Sequence, residues 1–301
     1  MYRQAQSFSP NFNQNSMLVK LIYANLIVFL AIKLLYLPFW LMTVELSPDN
    51  WAINWLAVPA NLPKLIVKPW TIISYMFLHI GFFHLLTNML WLYFLGQLFV
   101  EFLGEKKLWS VYIAGGIAGA VLYILFFNIF PVFETIMPIS KALGASASVM
   151  AVVVAVGTYA PNFSIRMLFL GNVKLKYIAL FWFVFDLISI SNSNSGGHIA
   201  HLGGAILGFF FAKKWRAGQD ITAWVNQASD FLVAIFKSSK RKSKLHVKYK
   251  KKTHFSDEEF KSAKKAEQEK VDRILDKISR SGYDSLSKEE KAFLFKASNK
   301  N

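Results

Sequence analysis

The sequence contains no cysteine, which excludes disulfides, thiolate metal sites and a cysteine nucleophile, and leaves the redox state of its compartment open. Acidic residues are scarce: 18 Asp and Glu stand against 34 Lys and Arg among 301 residues, a formal charge of +16. The first sixteen residues, MYRQAQSFSPNFNQNS, hold one arginine, and no small-residue cleavage site follows the first apolar run. A removable signal peptide is therefore not expected, and the first apolar segment should remain as a span. The HExxH arrangement of zinc proteases is missing. So is an internal repeat of the hydrophobic pattern, the mark of many transporters.

What is abundant is apolar surface. Hydrophobic residues make up 54% of the chain and aromatics 16%, with a mean hydropathy of +0.35. That is too apolar for an ordinary soluble domain of this size and makes the bilayer the expected solvent. A helix needs about 20 mainly apolar residues to cross the hydrocarbon. Six candidate spans follow, at 17–40, 83–103, 108–130, 145–160, 177–191 and 198–214. The fourth and fifth are short, which predicts protein-lined or locally thinned surroundings. With the N-terminus inside, the inner loops carry Lys106, Lys107, Arg166, Lys174, Lys176, Lys213, Lys214 and Arg216. The outer loops carry Lys64, Lys68 and Lys141, in line with the positive-inside rule. Lys33, near the outer end of the first span, can snorkel. The 43–82 connection is apolar, rich in tryptophan and broken by prolines. It is predicted to lie at the outer interface.

After Arg216 the character changes. Residues 213–301 hold 23 Lys and Arg against 12 Asp and Glu, so most of the positive charge sits there. The stretch KSSKRKSKLHVKYKKK (237–252) has nine basic residues in sixteen and no acid, so it will not fold alone. It reads as a solvated linker or as an element drawn to anionic inner-leaflet lipid, worth about 1 kcal/mol per basic residue near the surface. Nucleic acid is not expected as a partner, because no second recognition feature accompanies the charge. Ser256 with Glu259 and Ser287 with Glu290 form two capping boxes. Val271, Ile274, Leu275 and Ile278 follow helical spacing up to Gly282. The division expected is a disordered N-terminus at 1–16, a six-helix membrane domain at 17–216, a basic linker at 217–255 and a small helical hairpin at 256–301.

Polar residues inside spans are costly and mark function by default. His84 and Asn88, at i and i+4, share a face of the second span, and His79 precedes them. The fourth span opens with GASAS, where Ser146 heads a helix and Ser148 lies two residues on. His201 sits just inside the sixth span. His198, three residues earlier, shares its face, so the two could also be half a metal site. Asp186 is the only acid well inside a span and reads as an interhelical hydrogen bond to a polar neighbour, with an influence on His201 as the alternative. Taken singly, each residue fits packing: a serine bonds back to its own helix, and histidine or asparagine joins helices. Together they lie at the outer ends of their spans. Ala147, Ala151 and Ala155 on the fourth span, and Ala200, Gly204 and Gly208 on the sixth, form small-residue faces. Such faces let helix backbones approach closely. Packing them together brings the Ser146 hydroxyl and His201 imidazole toward the geometry of a base-activated nucleophile. Packing without chemistry is the alternative.

The motifs GASA (144–147), AHLGGAILG (200–208) and HIGFFHLLTN (79–88) resemble the signature regions of the rhomboid intramembrane serine proteases. They occur in the family's order, on the second, fourth and sixth spans, within a resemblance that covers about 50–215. The resemblance implies an all-α polytopic fold, a six-transmembrane-helix bundle here followed by a small helical cytoplasmic tail. It implies a Ser–His dyad that cleaves a substrate's transmembrane segment near the outer membrane surface, without cofactor or metal. Ser146 would be the nucleophile and His201 the general base. His84, Asn88 and the backbone N–H of Ser146 would form the oxyanion hole. Partners would be transmembrane protein substrates and membrane lipids. The location would be a bacterial inner membrane, with both termini cytoplasmic. A proteolytically inactive relative that binds or escorts membrane proteins is the alternative. Two positions depart from the family pattern: Ala147 replaces the glycine after the nucleophile, and Thr71 replaces the arginine of the outer loop's Trp-Arg pair. SNSNSGG (191–197) is expected to be a lid over the site.

Overall fold

The computed structural model describes residues 16–42, 48–167, 171–191, 194–236 and 257–298. Residues 1–15 of the expected disordered N-terminus and the basic stretch at 237–252 lie outside the described residues. The chain divides into two compact units, Met1–Ser238 and Ser239–Asn301.

In the first unit, helix α1 (Met17–Leu41) leads through three short helices, α2 (Pro48–Leu56), α3 (Leu62–Val67) and α4 (Thr71–Ser74). Then follow α5 (Phe82–Leu103), α6 (Glu105–Ile129), α7 (Ser146–Tyr159), α8 (Leu175–Ser189), α9 (Ser195–Arg216) and α10 (Ala223–Phe236). Two minor antiparallel pairs complete it: β1 (Val58–Pro59) with β2 (Lys141–Ala142), and the hairpin of β3 (Ser164–Met167) with β4 (Gly171–Lys174). The protein is thus an all-α polytopic membrane bundle. Its α1, α5, α6, α7, α8 and α9 stand at the six expected spans. Of these, α1, α5 and α6 are long and apolar enough to cross a membrane.

Ser16 caps α1 by accepting from the Val19 N–H at 3.2 Å. One side of α1 buries Leu18, Leu21 and Phe29, while Ile27, Leu34 and Leu35 stay exposed, as a lipid-facing stripe requires. Exposed Leu180, Phe181, Leu187 and Ile188 give α8 a similar outer face. Helix α7 is different. Every residue from Ala147 to Gly157 is buried, so the helix is apolar all round because protein, not lipid, encloses it. Its 14 residues span only ~21 Å at ~1.5 Å per residue, and its enclosure removes the need to match the bilayer.

The seam between α7 and α9 follows the small-residue pattern. A Cβ on Gly204 would run into the Ala147 carbonyl, and one on Gly208 into the Ala151 carbonyl. Helix α6 joins the same core: a Cβ on Gly119 would lie 2.6 Å from the Ala147 methyl and 2.7 Å from the Ala200 carbonyl oxygen. The methyl that departs from the family pattern therefore occupies room that Gly119 leaves.

Lys107 and Arg216 lie together at one end of the bundle. Arg216 bonds the Tyr159 carbonyl and lies 5.5 Å from that ring. Lys107 pairs with Asp220 and lies 4.7 Å over Trp215, and the Met17 N–H donates to Glu105 at 3.3 Å. At the other end the described part of the 43–82 connection includes the three short helices. Trp55 and Trp70 stack there at 6.1 Å, and the Trp70 indole N–H donates to the Trp55 carbonyl at 2.8 Å. Trp51, Ile66 and Val67 are exposed above buried Tyr75, Met76 and Leu78.

The stretch after Arg216 begins with structure rather than linker. Helix α10 packs on α6 through Trp109 Nε1 to Ser229 Oγ at 3.0 Å and a 2.9 Å bond between the Ser110 and Thr222 hydroxyls. The density of lysines further on hides its apolar residues, of which Val225 is buried. In the second unit, α11 (Asp257–Ser281) and α12 (Lys288–Ser298) flank Gly282, whose φ of 77° reverses the chain. Ser287 and Glu290 cap each other at 3.2 and 2.8 Å, and Lys277 reaches Glu290 at 2.9 Å. Ile274 is buried, whereas Leu275 is 49% exposed and leaves the expected stripe. The capping box at Ser256 and Glu259 lies outside the described side chains.

Gly208→Leu should lower stability by about 3 kcal/mol through overpacking against α7. Thermal unfolding in detergent measures this, with lipid-side Ile206→Leu as a control that should change little.

Candidate active site

The chain enters α7 from β2 by a turn that only glycine adopts easily. Gly144 has φ 119°, in the region that favours residues without a Cβ, and its N–H donates to the Tyr75 carbonyl at 2.9 Å. The next N–H, of Ala145, donates to His79 Nε2 at 3.3 Å. His79 is fully buried. Burial first, and the neighbouring His84 second, push its imidazole down to about 4 from an ordinary 6.5, so it is neutral and able to accept. The turn thus delivers Ser146 as the first residue of α7, where backbone N–H groups have no intrahelical partner.

Ser146, His201, His84 and Asn88 line one cavity of about 860 Å³. A Cβ on Gly144 would lie 2.7 Å from His84 Cε1 and 3.7 Å from Ser146 Oγ, so both side chains lie close beside the turn. Asn88 bonds back to the His84 carbonyl at 2.8 Å and keeps a second amide hydrogen to offer. Trp91 of α5 and Trp182 of α8, both cavity residues, meet edge to face at 5.4 Å. Ser148 belongs elsewhere: it is 1% exposed and packs by Gly116 and Met76 rather than on the cavity.

Helix α9 begins three residues earlier than expected, at Ser195, because Asn194 accepts from the Gly197 N–H at 3.3 Å. Ser195, Gly196 and Gly197 of the expected lid are therefore helical, and residues 192–193 lie outside the described residues. The longer helix puts His198 at the end of the first turn of α9 rather than at its start. Its Nδ1 lies 2.8 Å from Asp186 Oδ1, and His201 Nδ1 lies 2.9 Å from the same oxygen. His198 does not line the cavity; His201 does. Among the described residues Asp186, His198 and His201 form the one group of possible metal-ligand atoms, all within 4.8 Å. His79 and His84 are not part of it. No hydrogen bond joins Ser146 to His201 among the described residues; in empty sites such bonds are often long and tighten with substrate.

Sequence reasoning expected the interhelical bond of Asp186 but missed that two histidines share its Oδ1, and it missed the supporting role of His79. The signal for the first was there, a lone acid inside a span. Its partners stand 12 and 15 residues away across a turn, a separation that no helical spacing links. At the outer loop, Thr71 is buried and donates to the Lys68 carbonyl at 2.7 Å. Lys68 lies 4.4 Å over the Trp55 ring.

The family model of the Rhomboid domain matches residues 67–216, and residues 256–300 match a family of unknown function, DUF6576. The mitochondrial RHOMBOID-like protein 12 of Arabidopsis thaliana is 28% identical over 159 residues, covering 50% of this chain and 47% of that protein. Rhomboid-related protein 1 of Caenorhabditis elegans is 28% identical over 160 residues, 50% of this chain and 40% of that one. The rhomboid protease GlpG of Yersinia pseudotuberculosis is 25% identical over 170 residues, 56% and 55% of the two chains. The chain spans about half the length of the curated relatives it matches.

The neutral His79 carries a pH signature. Unfolded, it takes up a proton near 6.5; folded, only near 4. Its contribution is therefore full above pH 6.5 and lost as pH falls toward 4, about 3 kcal/mol at roughly 1.4 kcal/mol per pH unit. The thermal midpoint of the wild type should fall across this window, and His79→Gln should flatten the fall. Identical slopes for both would refute the role.

Proposed function

Because the chain belongs to the rhomboid family, we propose that it is an intramembrane serine endopeptidase, which hydrolyses a peptide bond in or near a transmembrane segment of another protein. The observation that carries the reading is Ser146 at the open N-terminus of a buried helix, in the same cavity as His201, His84 and Asn88. Ser146 Oγ attacks the carbonyl carbon while His201 Nε2 takes its proton. The oxyanion that forms is met by the Ser146 N–H and by the side chains of His84 and Asn88. His201 returns the proton to the leaving amine, and a water activated by the same imidazole then releases the acyl group from Ser146. Neither cofactor nor metal has a step in this sequence.

The cavity opens at the end of the bundle away from Lys107 and Arg216. In a bacterial inner membrane, positive charge inside would put the site at the outer surface and both ends of the chain in the cytoplasm. The basic stretch at 237–252 would then face anionic inner-leaflet lipid. The missing bond between Ser146 and His201 favours a second reading, a proteolytically silent rhomboid relative that holds membrane proteins.

A fluorogenic transmembrane substrate separates these. Wild type should cleave, and Ser146→Ala and His201→Ala should not. His84→Ala and Asn88→Ala should each lower kcat by about 10²- to 10³-fold. Equal cleavage by Ser146→Ala would refute the assignment. A wild type that binds clients yet neither cleaves nor reacts with a serine-directed phosphonate would establish the second reading.

A further inference from the structure

Helix α8 carries Asp186 one turn from its end, 1% exposed, in a helix whose other large side chains face outward or pack on apolar neighbours. A carboxylate here is expensive unless donors meet it. Two do, and both converge on one oxygen: Oδ1 lies 2.9 Å from His201 Nδ1 and 2.8 Å from His198 Nδ1. Oδ2 is buried with no hydrogen-bond partner, so Oδ1 carries the whole interaction.

Resting on the protease reading above, we propose that Asp186 is a positioning residue for His201, making the site a Ser–His–Asp constellation rather than a dyad. An ionised carboxylate only accepts, so each imidazole nitrogen facing Oδ1 carries a hydrogen. That fixes His201 as the Nδ1–H tautomer and leaves the Nε2 lone pair as the acceptor for the Ser146 proton. When that proton arrives, the imidazolium lies against a carboxylate that never becomes protonated itself. The proton then passes from Nε2 to the leaving amine, and Asp186 ends as it began. His198 has a part in this. Its Nδ1–H shares the buried charge and, from the first turn of α9, holds Asp186 beside His201 instead of letting it turn toward lipid.

An interhelical hydrogen bond alone would need only His198. What distinguishes positioning is that the same oxygen meets the histidine that lines the cavity. A metal site is the rival use of these three side chains. Tetrahedral ligands at about 2.0–2.1 Å from zinc stand more than 3 Å apart, however. The observed 2.8 and 2.9 Å separations are those of N–H···O hydrogen bonds.

The test compares full-length wild type, Asp186→Asn and Asp186→Glu in detergent, by cleavage kinetics and by ¹⁵N NMR of histidine side chains. Helical content and melting show that each variant is folded. In wild type, His201 should carry its hydrogen on Nδ1. In Asp186→Asn that preference should be lost, and kcat should fall about 10²- to 10⁴-fold, as when soluble triads lose their acid, with KM within about two-fold. Asp186→Glu should recover part of both signals if its longer arm still reaches Nδ1. Unchanged kcat and tautomer in folded Asp186→Asn would overturn the proposal. So would a wild type that holds stoichiometric metal, whose removal by chelator shifts both Nδ1 signals. If wild type neither cleaves nor labels, the protease reading fails. The tautomer still decides whether Asp186 orients His201.

Discussion

The close approach of two helix backbones is the constraint on which the rest depends. At Gly204 and Gly208 there is no space for a single carbon between α9 and the carbonyls of Ala147 and Ala151. Between membrane helices, where lipid competes as an apolar solvent, contact of this kind supplies dispersion energy that larger side chains would hold apart. The contact also has a direction. Ala147 is the neighbour of Ser146, and Gly204 stands one turn after His201. Whatever presses these backbones together therefore presses the hydroxyl and the imidazole into one cavity. Helix α6 makes the third wall, because Gly119 accommodates the Ala147 methyl. In that packing the exchange of glycine for alanine after the serine is absorbed locally.

Polar groups in such an interior are tied to one another. Asn25 of α1 donates to the Leu21 carbonyl at 2.8 Å and to the Tyr112 hydroxyl at 3.2 Å. Tyr112 in turn donates to the Met76 carbonyl at 3.1 Å, which joins α1, α6 and the connection between α1 and α5. Tyr75 bonds the Gly116 carbonyl through its hydroxyl and accepts the Gly144 N–H through its own carbonyl. The connection between α1 and α5 does more than cover one end of the bundle: through Tyr75 and His79 it holds the turn that presents Ser146. Each bond is modest in isolation, but leaving one partner unpaired in so apolar a setting costs about 1–3 kcal/mol. The network therefore resists rearrangement more than it adds net stability.

Much of this was legible in the sequence, for reasons that differ by element. The helix positions follow from long apolar runs. The α7–α9 seam follows from small residues every four positions, and the cavity residues from polar groups at span ends. What spacing could not show are contacts between segments that no periodicity relates. Asp186 meets His198 and His201 across a turn, and His79 meets Ala145 across 66 residues. The start of α9 was misplaced because serine, asparagine and glycine are both turn formers and helix caps. In the structure Asn194 does the second job. Helix α10 was hidden by the opposite error, a composition judged by its lysine-rich neighbour.

The site lies where three helices begin, and this has a physical reason. A helix N-terminus presents N–H groups with no internal partner and a partial positive charge, while the middle of a span presents neither. Chemistry that builds negative charge on oxygen inside an apolar bundle is best placed at such an end. There α7 supplies donors and α5 brings His84 and Asn88 from its own first turns. On the proposed protease reading, water for hydrolysis and a substrate segment arriving from lipid would both need access to that end. Enclosing α7 on all sides while leaving a cavity of about 860 Å³ above its N-terminus reconciles the two. The helix that begins at Ser146 is enclosed by protein, and the cavity sits at its N-terminal end.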